Sequence, residues 1–401
     1  MAGNSLLTVA DITDRATAIL ADSGDTIMLC RREDEAFTRK VGETYSMRVA
    51  ERVAETTGRV ADAQAITQTF VDITINQQQH QAFNLSVQER SLSMDRLSDL
   101  VIGPRASQIA AGIESDLHSL YTGVYRSAGT PGTTPNSLTL LFAPNTRLDE
   151  SGAPSQERWM ILNAAAKAGL ATVIAPLPTP NQSIAADALT QGFIKQLYEY
   201  RRGVFYSNAV RVHTNGAWGD STPLTNGTTA DGATQVVTDG WASGTGVVAT
   251  GDVFTMAGVY EVHPQTRIST GRLMQFVVNS GLTATGTAMT IPITPTIRAS
   301  GVNQNVNATP ANDAALTFMG TAGTQYPQNL VGRPDGIALA MVDQDIEEWI
   351  SAGNGAKQDY MGIRLATTKG PDTRNNQVLW RMDCIYGRVL VDLAQIVRFW
   401  G

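Results

Sequence analysis

Residues Gly251 to Val278, GDVFTMAGVYEVHPQTRISTGRLMQFVV, decide how this chain is read. Val253 and Thr255 alternate with Phe254 and Met256, and Leu273 to Val278 resumes an extended apolar run, so the local period is closer to two than to 3.6. Gly258 is expected to supply a turn between the runs. The stretch holds no grouping of nucleophile, base and metal ligand. It reads as a building block rather than a reaction centre.

The surrounding sequence extends that reading. Beyond Thr214 the composition turns to Gly, Thr, Ser, Ala and Asn, with strand patterns and no convincing helix, which predicts an inserted all-β domain. Within it Met289, Ile291 and Ile293 alternate with Thr290, Pro292 and Thr294, and Pro292 predicts an edge strand or a bulge. On the N-terminal side, Ile12, Ala16, Ile19 and Leu20 predict a helix over Thr8 to Ala21. Tyr45, Met47 and Val49 predict a strand. Val71, Ile73 and Ile75, then Phe83, Leu85 and Val87, predict two strands paired across Gln77 to His80. Ile102, Ile109, Ile113, Leu117, Leu120 and Val124 give the strongest helix signal, with Pro104 near its first turn.

The linker Ser127 to Ser137 leads to an expected β-α-β unit: strand Leu138 to Ala143, helix Gln156 to Ala168, strand Ala171 to Ala175. A further helix over Ala185 to Arg202 and a strand over Val204 to Val212 follow. Near the C-terminus, Ile337 to Val342, Tyr360 to Leu365 and Val378 to Val391 read as strands and Gln344 to Ser351 as a short helix. This part is too small for its own core and is expected to complete the domain begun at Leu138.

Length and composition narrow the function classes. A chain of 401 residues predicts two or three domains. Only 17% of residues are charged, less than an isolated soluble surface usually carries, which points to contacts with other copies. The net charge of -7 argues against gripping nucleic acid through phosphate neutralisation. Cys30 and Cys384, the only cysteines, make neither a disulfide framework nor a metal site. No secretion signal and no long apolar span is evident. With 25 Arg against 5 Lys, the basic residues are of the kind that make rigid multidentate contacts.

The chemistry-bearing patterns each have a plainer explanation. Gly244-Thr245-Gly246-Val247-Val248-Ala249 loosely fits a dinucleotide pattern but lies among strand and turn residues, so turn glycines are expected. There is no phosphate loop and no G-x-S-x-G elbow. His80, His118, His213 and His263 are scattered; Glu114 and His118 share a helix face and are expected to be a surface pair. Asp343, Asp345, Glu347 and Glu348 are expected to be a solvated helix start. No cofactor and no metal is predicted. Arg48, Glu51, Arg52, Glu55 and Arg59 put mixed charges on a segment lacking a core, and a solvated loop and an intersubunit contact account for that equally well.

Five segments carry a resemblance: NSLLTVADITDRATAIL from Asn4, INQQQHQAFNLSVQERSLSMDRLSDLVIGP from Ile75, YSNAVRVHT from Tyr206, the opening stretch, and RMDCIYGRVLVDLAQIV from Arg381. In their order and coverage the chain resembles tailed-bacteriophage major capsid proteins, specifically the short-tailed, lambdoid-like group whose shell fold, shared with herpesvirus capsid floors, carries an inserted β-barrel. The resemblance implies an α+β fold with an N-terminal arm over 1–40 and an extended loop over 41–90. It also implies a peripheral domain with a spine helix over 91–135, an axial domain over 136–212 and 327–401, and the barrel over 213–326. It implies self-assembly of pentamers and hexamers into an icosahedral shell around double-stranded DNA, first as a procapsid. Partners would be a scaffolding protein and a portal at one vertex, with no membrane and no enzymatic activity. It favours the intersubunit reading of Arg48 to Arg59. Relatives that crosslink use a loop lysine; none occurs between Lys40 and Lys167, so a non-covalent shell is expected. A secreted β-rich adhesin or carbohydrate-binding protein is the alternative, prompted by the Gly/Thr/Asn-rich middle.

Overall fold

The computed structural model describes residues 8–33, 42–53, 59, 68–86, 98–174, 199–372, 375 and 377–401. They form an α+β structure whose two compact units are each assembled from distant pieces of chain. One comprises 1–48, 70–117 and 337–391, the other 49–69, 118–336 and 392–401.

The first unit is built on the long strand Thr69–Ser86, whose antiparallel partner is Gln377–Leu390. Its odd-numbered residues turn inward, with Ile73, Ile75 and Phe83 buried, while even-numbered residues from Asp72 to Asn84 are exposed. Phe83 stacks on Trp380 at 6.4 Å between ring centroids, and the Arg105 guanidinium lies over Phe83. Ile337–Val342 and Ile363–Asp372 also pair with Gln377–Leu390, and Gly355–Tyr360 adds an outer strand.

Helix Val9–Ser23 packs on the last two of these strands. Thr8 and Asp11 form its capping box, and Val9, Ile12, Ala16 and Leu20 are buried. Thr13 and Thr17 are buried beside them because each hydroxyl donates to a carbonyl one turn earlier, at 2.8 and 2.7 Å. The Gly103–Ser119 helix, continued by a 3-10 turn Leu120–Gly123, carries the predicted apolar stripe. In this unit it is tied down by Asp116, which accepts from the Tyr386 hydroxyl at 3.0 Å and the Arg388 guanidinium at 2.7 Å.

Among the described residues the second unit holds two six-stranded sheets and a short pairing of Val247–Val248 with Leu282–Thr283. In one, Gln325–Gly332 lies between Ile396–Trp400 and Trp159–Leu162, and Gly203–Tyr206 runs parallel to Trp159–Leu162. Leu141 and Leu148 of helix Leu138–Glu150, with Leu170 of helix Ala164–Ile174, pack with Met160, Leu162, Val331, Val397 and Phe399. The other sheet has the order Leu316–Phe318, Val253–Val262, Ser269–Val278, Met289–Thr294, Gln235–Asp239, Leu224–Thr225. Its outer strands meet at a bridge from Leu224 to Ala315, with Thr225 N–H donating to the Ala314 carbonyl and Leu316 N–H to Pro223, both at 3.0 Å. The six strands thereby close into a barrel filled by Phe254, Met256, Phe276, Val278, Ile291 and Ile293 among others.

Several expectations need correction. Thr69–Ser86 is one strand rather than a hairpin. Gln77 to His80 offers no turn chemistry, and the inward parity of Ile73 and Ile75 continues unbroken to Phe83. Leu138 to Ala143 is helical, because Ser137 caps Leu140 N–H and the buried positions Leu141, Asn145 and Leu148 recur at helical spacing. The β-α-β unit is present but shifted. Trp159–Leu162, buried throughout, is its first strand, Asn163 caps the helix that begins at Ala164, and Gly203–Tyr206 is its second strand.

Gly258 makes no hairpin turn: at φ +80° it allows an irregularity inside Val253–Val262, and the turn lies at 263–268. Met289–Thr294 is an interior strand. Ile293 N–H donates toward Thr234, so the ring nitrogen of Pro292 faces the other side, where the ladder covers only Ile293 and Thr294. Strand Val204 to Val212 is interrupted into Gly203–Tyr206 and Val212–Thr214, and Tyr360 to Leu365 contains a two-residue turn at Met361 and Gly362. The short acidic helix is confined to Glu347–Ser351. Of the helix expected over Ala185 to Arg202, residues 199–202 form no helix and the rest lies outside the described residues. The C-terminal block divides between sheets: 337–390 joins the first unit, whereas 325–332 pairs with Trp159–Leu162 and 396–400 enters the same sheet between 325–332 and 127–128.

Candidate functional site

The mixed-charge stretch begins where strand Thr44–Val49 leaves its partner. Arg48 is exposed near the strand end, Glu51, Arg52 and Val53 are exposed after it, Arg59 is exposed, and Glu55 lies outside the described residues. Glu51 and Arg52 line a cleft of about 650 Å³ together with Ser151 to Pro154, Pro264, Gln265 and Asp392. The stretch is therefore partly seated against its own unit. Arg48 and Arg59 do not line this cleft.

A second set of polar residues, not singled out by sequence, gathers where the barrel strands join the rest of their unit. Glu261, in a barrel strand, is 3% exposed and accepts from Arg126 Nε at 3.0 Å and Nη2 at 2.8 Å; Arg126 is 5% exposed. Arg126 also donates to the Leu393 carbonyl, and Arg147 approaches the other Glu261 oxygen at 3.5 Å. Burial works against the Arg126 charge, but Tyr125 and Glu261 overcome it and hold its pKa above the ordinary value. Tyr125 itself is pushed up to about 12 by burial. Gln275 on the neighbouring strand adds two bonds to Ser127, accepting from its N–H at 2.7 Å and donating to its hydroxyl at 2.9 Å.

Asp252 is the second anchor, 1% exposed. It accepts from Ala249 N–H at 2.6 Å and Gly216 N–H at 3.2 Å and pairs with His213 Nε2 at 2.8 Å, while His213 Nδ1 meets the Tyr121 hydroxyl at 3.1 Å. Arg398 lies over the Tyr121 ring and donates to the Gly251 carbonyl at 2.7 Å. Burial pulls Arg398 down to about 9, against the opposing influence of Tyr121 and Asp252, so it remains charged at neutral pH. Tyrosine, histidine and carboxylate in series have the spacing of an acid–base relay. Here all three are buried and Asp252 is occupied by backbone donors, so the series joins the two chain segments leading into the barrel.

The remaining candidates have structural placements. Glu114 and His118 are 7% and 1% exposed, not a surface pair. Glu114 accepts from Thr26 N–H at 2.8 Å, and burial, then the charge of Arg211, lowers His118 to about 4. Apolar positions on both sides of His118 place it in the stripe, a signal that the i,i+4 reading passed over. The acidic run is exposed, and Lys357 meets Glu347 at 3.1 Å and Asp343 at 3.5 Å. Among the described residues no group of three His, Cys, Asp or Glu could hold a metal ion. Among them, too, no helix is long and apolar enough to cross a membrane.

Residues 204–396 match the family model described as P22 coat protein, gene protein 5. No curated protein matches the chain. Among solved structures it is similar to one titled Mycobacterium phage Che8, at 13% identity and TM-score 0.45 over 100% of this chain and 95% of that one. A structure titled CUS-3 coat protein I-domain is 28% identical, covers 25% of this chain and 97% of its own, and has a TM-score of 0.20. One titled asymmetric unit of bacteriophage PhiM1 mature capsid is 9% identical over 94% of this chain and 86% of that one, with a TM-score of 0.43.

Proposed function

We propose, from the premise that this chain is a tailed-phage major capsid protein, a division of labour among its parts. The protein self-assembles into the icosahedral shell and resides in the virion; its role is structural. The observation that carries this is the family match over residues 204–396, which runs through the barrel and both sheets. The secreted adhesin reading is not favoured.

In the proposed division, the unit with the long helix and long strand is a peripheral layer, the helix-covered sheet of the second unit is axial, and residues 213–326 are a barrel inserted into it. Arg48, Glu51, Arg52, Glu55 and Arg59 are intersubunit contacts on an extended loop. Their support is exposure of Arg48, Glu51, Arg52 and Arg59 on a segment without its own core. A scaffolding protein guides assembly in the host cytoplasm, a portal occupies one vertex, and the shell encloses double-stranded DNA without reading its sequence. The net charge of -7 suits a wall that does not adhere to its contents.

Expression with and without the scaffolding protein, followed by electron microscopy, tests the reading. Closed shells or capsomer rings are expected. A monomer that stays single at high concentration with scaffold present overturns it. Reversing Arg48, Arg52 and Arg59 together to Glu should block assembly while leaving the circular-dichroism spectrum and thermal midpoint of the subunit unchanged. Normal assembly of that variant overturns the contact assignment alone.

A further inference from the structure

The turn between strands Gly355–Tyr360 and Ile363–Asp372 combines two features that isolated folding does not reward. Tyr360 pairs with Ile363 across a two-residue connection, and both residues of the turn have positive φ, +54° at Met361 and +75° at Gly362. Such a turn favours Asn or Gly at its first position, since a longer side chain is strained in the left-handed region. Met occupies it instead, 58% exposed, and the adjacent Tyr360 is 45% exposed. Backbone strain has thus been kept at a position where the side chain stays more than half exposed within the subunit.

The tip is braced rather than loose. Asp359 accepts from Gly362 N–H at 3.1 Å and pairs with Arg364 at 3.0 Å. That pair also cancels the local charge, so the tip offers an apolar knob with no net attraction for phosphate or for an acidic or basic partner. Tyr contributes rigid amphipathic area, and Met adapts to irregular surfaces, as in recurring interface anchors.

We propose that Tyr360 and Met361 form an intersubunit anchor that inserts into an apolar hollow on a second copy of this chain. The inference rests on the shell-forming function, which places another copy against each subunit. It concerns a site separate in sequence from Arg48 to Arg59. The strain at Met361 is retained because the contact exists only in the assembly.

Thiol protection and a strain-relieving substitution test this. Cys30 and Cys384 are buried, so Met361→Cys introduces a single accessible thiol. Maleimide labelling at that thiol should be on the order of tenfold slower or more in shells freed of other proteins than in dissociated subunits. Met361→Asn, which suits the turn, should raise the urea midpoint of the isolated subunit and raise the concentration needed for assembly by about tenfold. Tyr360→Ser should weaken assembly similarly. Shells in which Met361→Cys labels as fast as in subunits, or a Met361→Asn variant that assembles at the wild-type concentration, would overturn the anchor while leaving shell formation intact. Subunits that never form shells would overturn both.

Discussion

Mild acid should weaken the subunit through His118, in the long helix. Its imidazole is 1% exposed, and its pKa falls from 6.5 to about 4, because burial, and then the positive charge of Arg211, disfavours protonation. The unfolded chain takes up this proton below about pH 6.5, the folded chain only near pH 4. In between, the unfolded state binds more protons, so stability is complete above the upper value and declines as pH falls toward the lower one. Integrating the two titrations from neutral pH down to about 4.5 gives a loss on the order of 2–3 kcal/mol from this residue. His118→Gln removes the titration while keeping polarity. Urea unfolding of wild type and variant at about pH 7.5 and pH 4.5 isolates the effect, because other groups titrate in both proteins and cancel in the difference. Wild type should lose about 2–3 kcal/mol more than the variant on acidification. Equal losses, or a His118 ring resonance titrating near its ordinary pKa, would refute the reasoning.

Three further outcomes are expected. Glu261→Ala strands the buried Arg126 charge and should cost about 3–5 kcal/mol, whereas the double variant Arg126→Met with Glu261→Leu should recover most of it in thermal unfolding; equal instability of both would contradict this. Gly216→Ala should destabilise the entry to the barrel, because the new methyl would lie 2.3 Å from the Val247 carbonyl oxygen and 2.8 Å from Val248 Cα, both backbone atoms; a wild-type melting curve would count against it. Cys384, pushed up to about 12 by burial and then by Asp383, and the equally buried Cys30 should ignore a disulfide reagent in the native protein and react only in denaturant. Rapid native labelling of either would contradict the structure.

Residue order alone makes legible those elements whose pattern is local and whose outcome does not depend on a partner. The first helix has its cap at Thr8 and its stripe from Val9 to Leu20, and the long helix carries its own period. Val253 to Met256, Leu273 to Val278 and Ile337 to Val342 alternate or run apolar long enough to be strands wherever they pack. The family resemblance was legible for the same reason, being distributed over several such segments.

The other elements took their form from long-range packing. The run Leu138 to Ala143 suits a buried strand or a buried helix equally, and the cap at Ser137 with a sheet to cover made it helical. Ile75 and Phe83 fit one strand or two, until ten consecutive pairings of Gln77–Ser86 with Gln377–Tyr386, and one more at Ile75 past an irregularity, held Thr69–Ser86 together as one strand. The clamps Arg126–Glu261 and His213–Asp252 join residues 135 and 39 positions apart. No window of sequence contains both members, since the hydrogen bond that justifies burying each polar group arises only once the fold has brought its counterpart within reach.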